Sequence, residues 1–285
     1  MIRTYEKAVC LITGGGSGIG ESLGRELARR GATVILADRK HEAAQAVSAS
    51  IGESGGRAEA VELDVRDADA VERVVASVLQ DHERLDYLFN NAGIGIGGGF
   101  EDQTLDDWRY IMDVNVMGVV YGAHAAYARM IEQGFGHIVN TASMAGQIAT
   151  PGLVSYGAAK HAVVGLTRGL RIEAAEHGVR VSALCPGVIK TRILQSGGEF
   201  GRVRGPVAGV FEPEAMDDTR AMDVDAFAKQ ALDEVAKNRE IIVLPGLWKA
   251  IRWLDRLSEG LSARFNSMAY RRMQKIIEGR VSKTG

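Results

Sequence analysis

Cysteine is scarce in this chain, which has only Cys10 and Cys185 among its 285 residues. Each lies at or near the end of an apolar run, and neither has the spacing of a metal-ligand motif. We therefore expect two buried thiols, no disulfide framework and no metal site.

Long apolar runs and an excess of charge of one sign are absent too. No stretch reaches the roughly 18 uninterrupted apolar residues that a membrane-spanning helix needs. The formal net charge is -2 at pH 7, so electrostatics give no reason to expect a nucleic-acid partner. The first seven residues lack the charged-then-apolar order of a signal peptide. We therefore expect a cytoplasmic protein.

Short apolar segments alternate with longer segments of helical period. The predicted strands are residues 8–13, 33–37, 58–63, 85–90, 137–141, 179–184 and 240–244. The predicted helices are residues 19–30, 41–53, 68–82, 106–132, 155–177 and 224–237. This alternation predicts an α/β fold, a doubly wound parallel sheet of Rossmann type with about seven strands and helices on both faces.

Two regions depart from this alternation. Residues 195–223 are rich in glycine, proline and charge, and predict a mobile loop with one short helix, of a length that is usually functional or disordered. Residues 247–285 follow the last strand and have a helical period. We therefore divide the chain into a catalytic domain, residues 1–246, with a substrate loop at about 190–223, and a C-terminal helical extension, residues 247–285.

A glycine-rich turn joins the first strand to the first helix, and reads Thr13-Gly14-Gly15-Gly16-Ser17-Gly18-Ile19-Gly20. Glycine permits positive φ and lets the backbone approach a phosphate without a Cβ in the way. The helix that follows offers unpaired N–H groups to a pyrophosphate. Because the turn lies between strand and helix, it predicts a dinucleotide site that includes Gly14, Ser17, Gly18, Ile19 and Gly20.

The end of the second strand bears on the choice of dinucleotide. Asp38 is placed to accept hydrogen bonds from both hydroxyls of the adenosine ribose, and its charge would repel a 2′-phosphate. The neighbouring Arg39 is able to pair with that phosphate instead. We therefore predict NAD, with NADP as the less favoured alternative.

Three further segments end strands at the same edge of the sheet, where ligands of open α/β sheets bind. Asp64 and Val65 are placed for the adenine edge. Asn91, Ala92 and Gly93 follow the fourth strand. The third segment, placed to hold a carboxamide, consists of Pro186, Gly187, Val188, Ile189 and Thr191.

Tyr156 and Lys160 lie four residues apart, one turn from each other on the same face of a predicted helix. A nearby ammonium lowers the pKa of a phenol towards the working pH, as a general base for an alcohol proton requires. Such pairs are also common on ordinary amphipathic helices. Two other residues favour a catalytic site, because Ser143 follows the fifth strand and Asn115 is a polar amide among apolar neighbours that needs partners.

Together these motifs resemble the short-chain dehydrogenase/reductase family in its single-domain form of about 250 residues, over approximately residues 7–244. The resemblance implies that Tyr156 is the catalytic acid/base and that Lys160 lowers its pKa and binds the nicotinamide ribose. It also implies that Ser143 orients the substrate oxygen and that Asn115 positions a water. Val188 or Ile189, with Thr191, would then fix the nicotinamide.

We therefore expect an NAD(P)-dependent oxidoreductase that interconverts a secondary alcohol and a ketone. The apolar side chains of the predicted loop favour a mainly apolar substrate: a steroid, a long-chain or an aromatic alcohol. The alternatives are a catalytically silent dinucleotide-binding regulatory protein, and a sugar epimerase or dehydratase, which normally has a larger substrate domain.

The extension departs from the family pattern. Trp248, Ile251, Leu254, Leu257 and Leu261 recur at steps of three and four, which predicts an amphipathic helix. Residues 247–285 carry nine basic and three acidic residues, a net charge of +6, so the remainder carries -8. We expect this helix to cap the substrate cleft or a subunit interface, or else to lie on a membrane surface. The expected assembly is a homodimer or a homotetramer.

Overall fold

The computed structural model describes residues 5–191, 193, 201–205 and 221–284, with the backbone alone for residues 259, 269, 273 and 276–284. Its central sheet has seven strands in the order β3-β2-β1-β4-β6-β7-β9, and every neighbouring pair is parallel. The strands are β1 Val9–Thr13, β2 Thr33–Asp38, β3 Arg57–Glu62, β4 Tyr87–Asn90, β6 Gly136–Thr141, β7 Val179–Pro186 and β9 Ile241–Leu244. The predicted doubly wound sheet is confirmed.

Helices cover both faces of this sheet. They are α1 Gly18–Arg29, α2 His41–Glu53, α3 Ala68–His82, α4 Leu105–Met112, α5 Gly118–Gln133, α6 Val154–Ala175, α7 Val224–Ala236, α8 Leu247–Leu257 and α9 Glu259–Thr284. One buried core joins α1, α2 and α7 to the sheet, and a second joins α3, α5 and α6 to it. Strands buried on both faces need continuous apolar runs, as in the fully buried Val9–Thr13.

The predicted helix at residues 106–132 is interrupted. A π-helical turn, Asp113–Met117, lies between α4 and α5. A π-turn lies inside a continuous helical path, and the sequence prediction treated the whole segment as one helix.

A second, small sheet was not predicted. In it β5, Gly95–Gly97, pairs in parallel with β8, Gly201–Val203. A Cβ on Gly201 would lie 2.0 Å from the carbonyl oxygen of Gly95, so the close pairing depends on glycine. Most of the predicted substrate loop, including residues 206–220, lies outside the described residues. The parts described include β8 and the bridge from Ile189 to Met222.

The C-terminal extension is helical, as predicted, and forms α8 and α9. No helix in the described ranges is both long enough and apolar enough to traverse a lipid bilayer.

Candidate active site

The strand order reverses between β1 and β4, and a cleft of about 1010 Å³ lies at the carboxyl ends of the strands. Nearly all the predicted site residues line it: Gly14, Ser17, Gly18, Ile19, Asp38, Arg39, Asp64, Val65, Asn91, Ala92, Gly93, Ser143, Tyr156, Lys160, Pro186, Gly187, Val188, Ile189 and Thr191. Gly20 and Asn115 lie behind the cleft wall, where each supports a loop.

The glycine turn is fixed from behind. Gly14 has φ +68°, in the left-handed region, and the side-chain amide of Asn91 donates to the carbonyl oxygens of Thr13 at 3.1 Å and Gly14 at 3.3 Å. A Cβ on Gly20 would lie 2.0 Å from the carbonyl oxygen of Gly14. Gly20 therefore allows α1 to approach the turn closely, and any side chain there would displace the loop.

The amino end of α1 is open to an anion. Ser17 occupies the N-cap position, yet its side chain makes no capping hydrogen bond. The first N–H groups of a helix have no partner within the helix, so without a side-chain cap they remain available to a ligand in the cleft. This end of the cleft fits the pyrophosphate of a dinucleotide.

Asp38 closes the turn on its other side. Its Oδ2 accepts a hydrogen bond from the Gly16 N–H at 3.0 Å, and its Oδ1 accepts one from the Lys40 N–H at 2.9 Å. The exposed Arg39 and Lys40 lie at the rim of the same cleft. A carboxylate and two cations therefore meet where a ribose and its substituents would bind.

The adenine end includes a residue that sequence reasoning missed. Arg66 donates from Nε to both carboxylate oxygens of Asp64 at 3.0 Å, and it lines the cleft. The hydrogen bond from Arg66 holds the pKa of Asp64 below its usual value. The Arg66 guanidinium also lies 5.6 Å from the ring centre of Tyr110, another cleft residue. Nothing in the spacing of these three residues signals that they meet.

The catalytic candidates converge at the other end of the cleft. Tyr156 lies in the first turn of α6, and Ser143 follows β6. Burial raises the pKa of the Tyr156 phenol, while its hydrogen bond with the Ser143 hydroxyl acts in the opposite direction. An oxygen atom bound beside both hydroxyl groups would be within reach of a proton donor and a second hydrogen bond.

Lys160 lies one turn further along α6 and is 2% exposed. Its Nζ donates a hydrogen bond to the Thr141 carbonyl oxygen at 2.8 Å and lies 5.7 Å from the centre of the Tyr156 ring. Burial lowers the pKa of this ammonium to about 8. One of its three hydrogens is used by Thr141, which leaves donors for the hydroxyl groups of a bound ribose.

Burial is the largest influence on the pKa of the Tyr156 phenol in this structure. That Lys160 lowers this pKa stays a prediction. The same burial weakens the proton affinity of the ammonium that was expected to act on it.

Asn115 lies within the π-helical turn and is fully buried. Its Nδ2 donates to the Ile94 carbonyl oxygen at 2.9 Å, and its Oδ1 accepts from the Ile94 N–H at 2.8 Å. These bonds fix the segment after β4. A Cβ on Gly93 would lie 3.2 Å from Asn115 Oδ1 and 3.4 Å from Lys160 Nζ. That Asn115 holds a water stays a prediction.

The cleft that holds Tyr156 also has apolar lining residues. They include Met144, Ile148, Leu153, Ile193 and Trp248. Trp248 belongs to α8, and its ring packs directly on Gly187, where a Cβ would lie 2.1 Å from the indole nitrogen. The extension thus forms part of the cleft wall, which is one of the three positions expected for it.

A buried carboxylate anchors β8 beside the cleft. The side chain of Asp107 is 0% exposed, and its Oδ1 accepts hydrogen bonds from Arg202 at 2.8 Å and from Arg204 at 2.9 Å. Burial acts to raise the pKa of Asp107, but its bonds to the two arginines outweigh this and hold the pKa well below the usual range. This clamp fixes the described part of the substrate loop to α4, and sequence reasoning did not find it.

We expect Asp107→Asn to loosen this clamp. The change removes the charge that both arginines pair with, yet keeps an oxygen to accept from the Thr104 N–H. The free energy of unfolding should fall by about 1–2 kcal/mol, because the arginines are partly solvent-screened, and KM should rise more than kcat falls. Asp106→Asn is the matched control: its pair with Arg109 is exposed and should change stability by less than about 0.5 kcal/mol. Equal effects of the two substitutions in denaturant unfolding would rule out the clamp.

Comparison with known proteins extends these observations. A family model described as short chain dehydrogenase matches residues 8–200. Meso-2,3-butanediol dehydrogenase of Serratia marcescens is 40% identical over 189 residues, which are 66% of this chain and 74% of that protein. Cyclohexanol dehydrogenase of Acinetobacter sp. (strain SE19) is 37% identical over 216 residues, 75% of this chain and 86% of that protein.

A solved structure is similar over most of the fold. The crystal structure of a short chain dehydrogenase/reductase from Burkholderia phymatum in complex with NAD superposes with a TM-score of 0.83 at 29% identity. The alignment covers 90% of this chain and 96% of that one. The family-model match over residues 8–200 spans both the glycine turn and the segment that carries Ser143, Tyr156 and Lys160.

Proposed function

Because the chain belongs to the short-chain dehydrogenase family of NAD(P)-dependent oxidoreductases, we propose that it interconverts a secondary alcohol and a ketone, with Tyr156 as the acid/base. The observation that carries this proposal is the meeting of Ser143, Tyr156 and Lys160 in one cleft with an uncapped helix terminus and a glycine turn. A catalytically silent binding protein would need the helix terminus and the glycine turn, but it would not need Ser143, Tyr156 and Lys160 to meet.

The roles of the side chains follow from their positions. The Ser143 hydroxyl holds the substrate oxygen beside the phenol of Tyr156. When a ketone is reduced, Tyr156 donates its proton to that oxygen, and when an alcohol is oxidised it accepts the proton. Lys160, fixed by Thr141, binds the nicotinamide ribose and conducts the proton away from the phenol. A bound dinucleotide supplies the site that accepts or gives the hydride.

The substrate that best suits this cleft is mainly apolar. Ile148, Leu153, Ile193 and Trp248 line the same cleft as Tyr156 and offer apolar surface to a ligand. This supports a steroid, a long-chain or an aromatic alcohol as the substrate class.

A panel of secondary alcohols tests the proposed function. Purified protein with NAD or NADP is mixed with small diols, cyclic alcohols, steroids and long-chain alcohols, and reduced dinucleotide is followed by its absorbance. We expect turnover with at least one apolar alcohol and a higher kcat/KM for apolar than for polyhydroxylated compounds. Tight dinucleotide binding without turnover of any compound would favour the silent regulatory protein.

We further propose that NAD is preferred over NADP because Asp38 faces the ribose site. Asp38→Ala should raise the ratio of NADP to NAD in kcat/KM by about tenfold, since it removes a repulsive charge and leaves Arg39 and Lys40 in place. Asp38→Asn is a control, because it also removes the charge but retains an acceptor for the loop N–H groups. A wild type that already prefers NADP would overturn this assignment.

A further inference from the structure

The outward side of the extension carries an apolar face. On α8 this face consists of Leu247, Trp253, Leu254 and Leu257, and on α9 of Leu261, Phe265 and Met268. Leu257 is 78% exposed and Trp253 is 62% exposed. We call these seven residues the outer face. Contiguous apolar residues exposed at helical spacing usually mark an interaction site.

Basic residues accompany the outer face. Arg264, Arg271, Arg272 and Lys275 are exposed and lie three, four or seven residues from Leu261 or Met268, so they share that side of α9. In the part of the extension whose side chains the structure describes, no arginine or lysine forms an ion pair with a carboxylate. Arg264, Arg271, Arg272 and Lys275 therefore have no salt-bridge partner among the described carboxylates. Exposed apolar side chains beside unpaired cations fit an anionic lipid surface.

Helix α8 also forms part of the active-site cleft. On its inward side, Trp248 packs on Gly187 and lines the cleft, and the Arg252 Nε donates to Gln147 Oε1 at 2.8 Å. A helix with its side chains is about 10 Å across. A surface in contact with the outer face would therefore lie about one helix diameter from the cleft wall.

We propose that α8 and α9 dock this protein on an anionic lipid surface, which places the cleft about one helix diameter from the bilayer so that apolar alcohols or ketones reach Tyr156 from it. The docking part of this proposal is supported by the apolar outer face and by the exposed basic residues beside it. The delivery part rests on the proposed function, because it requires that the cleft turn over an apolar alcohol.

Vesicle binding tests the docking. Full-length protein is sedimented with phosphatidylcholine vesicles that do or do not contain phosphatidylglycerol. We expect binding to the anionic vesicles, release at high salt, and weak binding to the neutral vesicles. Leu257→Glu should weaken binding about tenfold, since it removes a leucine that the lipid would bury and adds a charge that the anionic surface repels. Leu105→Glu is the matched control, because Leu105 is 72% exposed at the start of α4 and lies away from the outer face.

The outcomes separate docking from catalysis. Turnover of a water-soluble alcohol should be equal in wild type and Leu257→Glu, which also shows that the variant folds. With a long-chain alcohol dissolved in the vesicles, anionic lipid should raise turnover severalfold in wild type and not in Leu257→Glu. Protein that stays in the supernatant with both vesicle types overturns the docking. The docking is also overturned if the wild type does not bind vesicles and Leu257→Glu lowers the oligomeric order. That result would mean that a second copy of the chain covers the outer face. Docking without turnover of any alcohol would instead reject the proposed function.

Discussion

Replacing Tyr156 with phenylalanine is expected to lower kcat by a factor of about 10²–10⁴ while dinucleotide affinity stays within about twofold. Phenylalanine fills the same volume against the second core, to which the Tyr156 ring packs, so the helix and its neighbours should be undisturbed. What is lost is the one hydroxyl in the proposed site that gives and takes the substrate proton.

The measurement compares single-turnover rates and dinucleotide titrations of the two proteins. Tyr121→Phe provides a matched control, because Tyr121 packs against the same core but does not line the cleft. Substantial turnover in Tyr156→Phe would mean that another group carries the proton.

Replacing Lys160 with methionine is expected to damage both binding and turnover. The ammonium has two proposed partners, the nicotinamide ribose and the proton path from Tyr156, so we expect about a tenfold loss or more in each of dinucleotide affinity and kcat. Methionine keeps the apolar stem and most of the volume. Thr141→Ser is a control, because the bond to Lys160 uses the Thr141 backbone carbonyl and not its side chain.

The free energy of unfolding is expected to depend on pH differently in wild type and in the methionine variant. This difference separates a functional from a structural role for Lys160. The pKa of Lys160 is lowered to about 8 in the folded protein from 10.5, so between these pH values the unfolded chain binds more protons. The wild-type free energy of unfolding should therefore rise with pH, relative to the methionine variant, by about 3 kcal/mol across this window. The difference should be constant below pH 8. Denaturant unfolding of both proteins at a series of pH values measures it, and a parallel pair of curves would show that Lys160 has an ordinary pKa.

The sequence predicted the sheet well because its strands are buried on both faces. Short apolar runs such as Val34–Leu36 are typical of strands in a parallel sheet that is covered on both faces, and the helices between them have one apolar side. For α2 and α3 the predicted and observed bounds are identical. Most strand ends were predicted within one or two residues.

The elements that sequence reasoning missed depend on backbone contacts between distant residues. The β5–β8 pair depends on Gly95 and Gly201, whose close approach no local pattern encodes. The π-helical turn around Asn115 is held by hydrogen bonds to Ile94, 21 residues earlier in the chain. Such features arise from tertiary contacts between residues far apart in the chain.

The site residues at the ends of strands could be predicted from the sequence. The ion pairs between residues far apart in the chain could not. The carboxyl ends of parallel strands share one edge, so Asp38, Asn91 and Ser143 were placed by topology alone. The clamp between Asp107 and Arg202 joins residues 95 apart in the chain. The raised pKa of Tyr156 depends on burial that no spacing reveals.

Transfer of deuterium tests the central claim most directly. The most active alcohol of the panel is labelled with deuterium at its carbinol carbon and incubated with the protein and oxidised dinucleotide. The mass of the reduced dinucleotide is then measured by mass spectrometry. We expect the label on the nicotinamide in every turnover, and none in a parallel incubation with Tyr156→Phe because little product forms. Reduced dinucleotide without the label, or ketone formed without reduced dinucleotide, would contradict direct hydride transfer in the cleft that holds Tyr156.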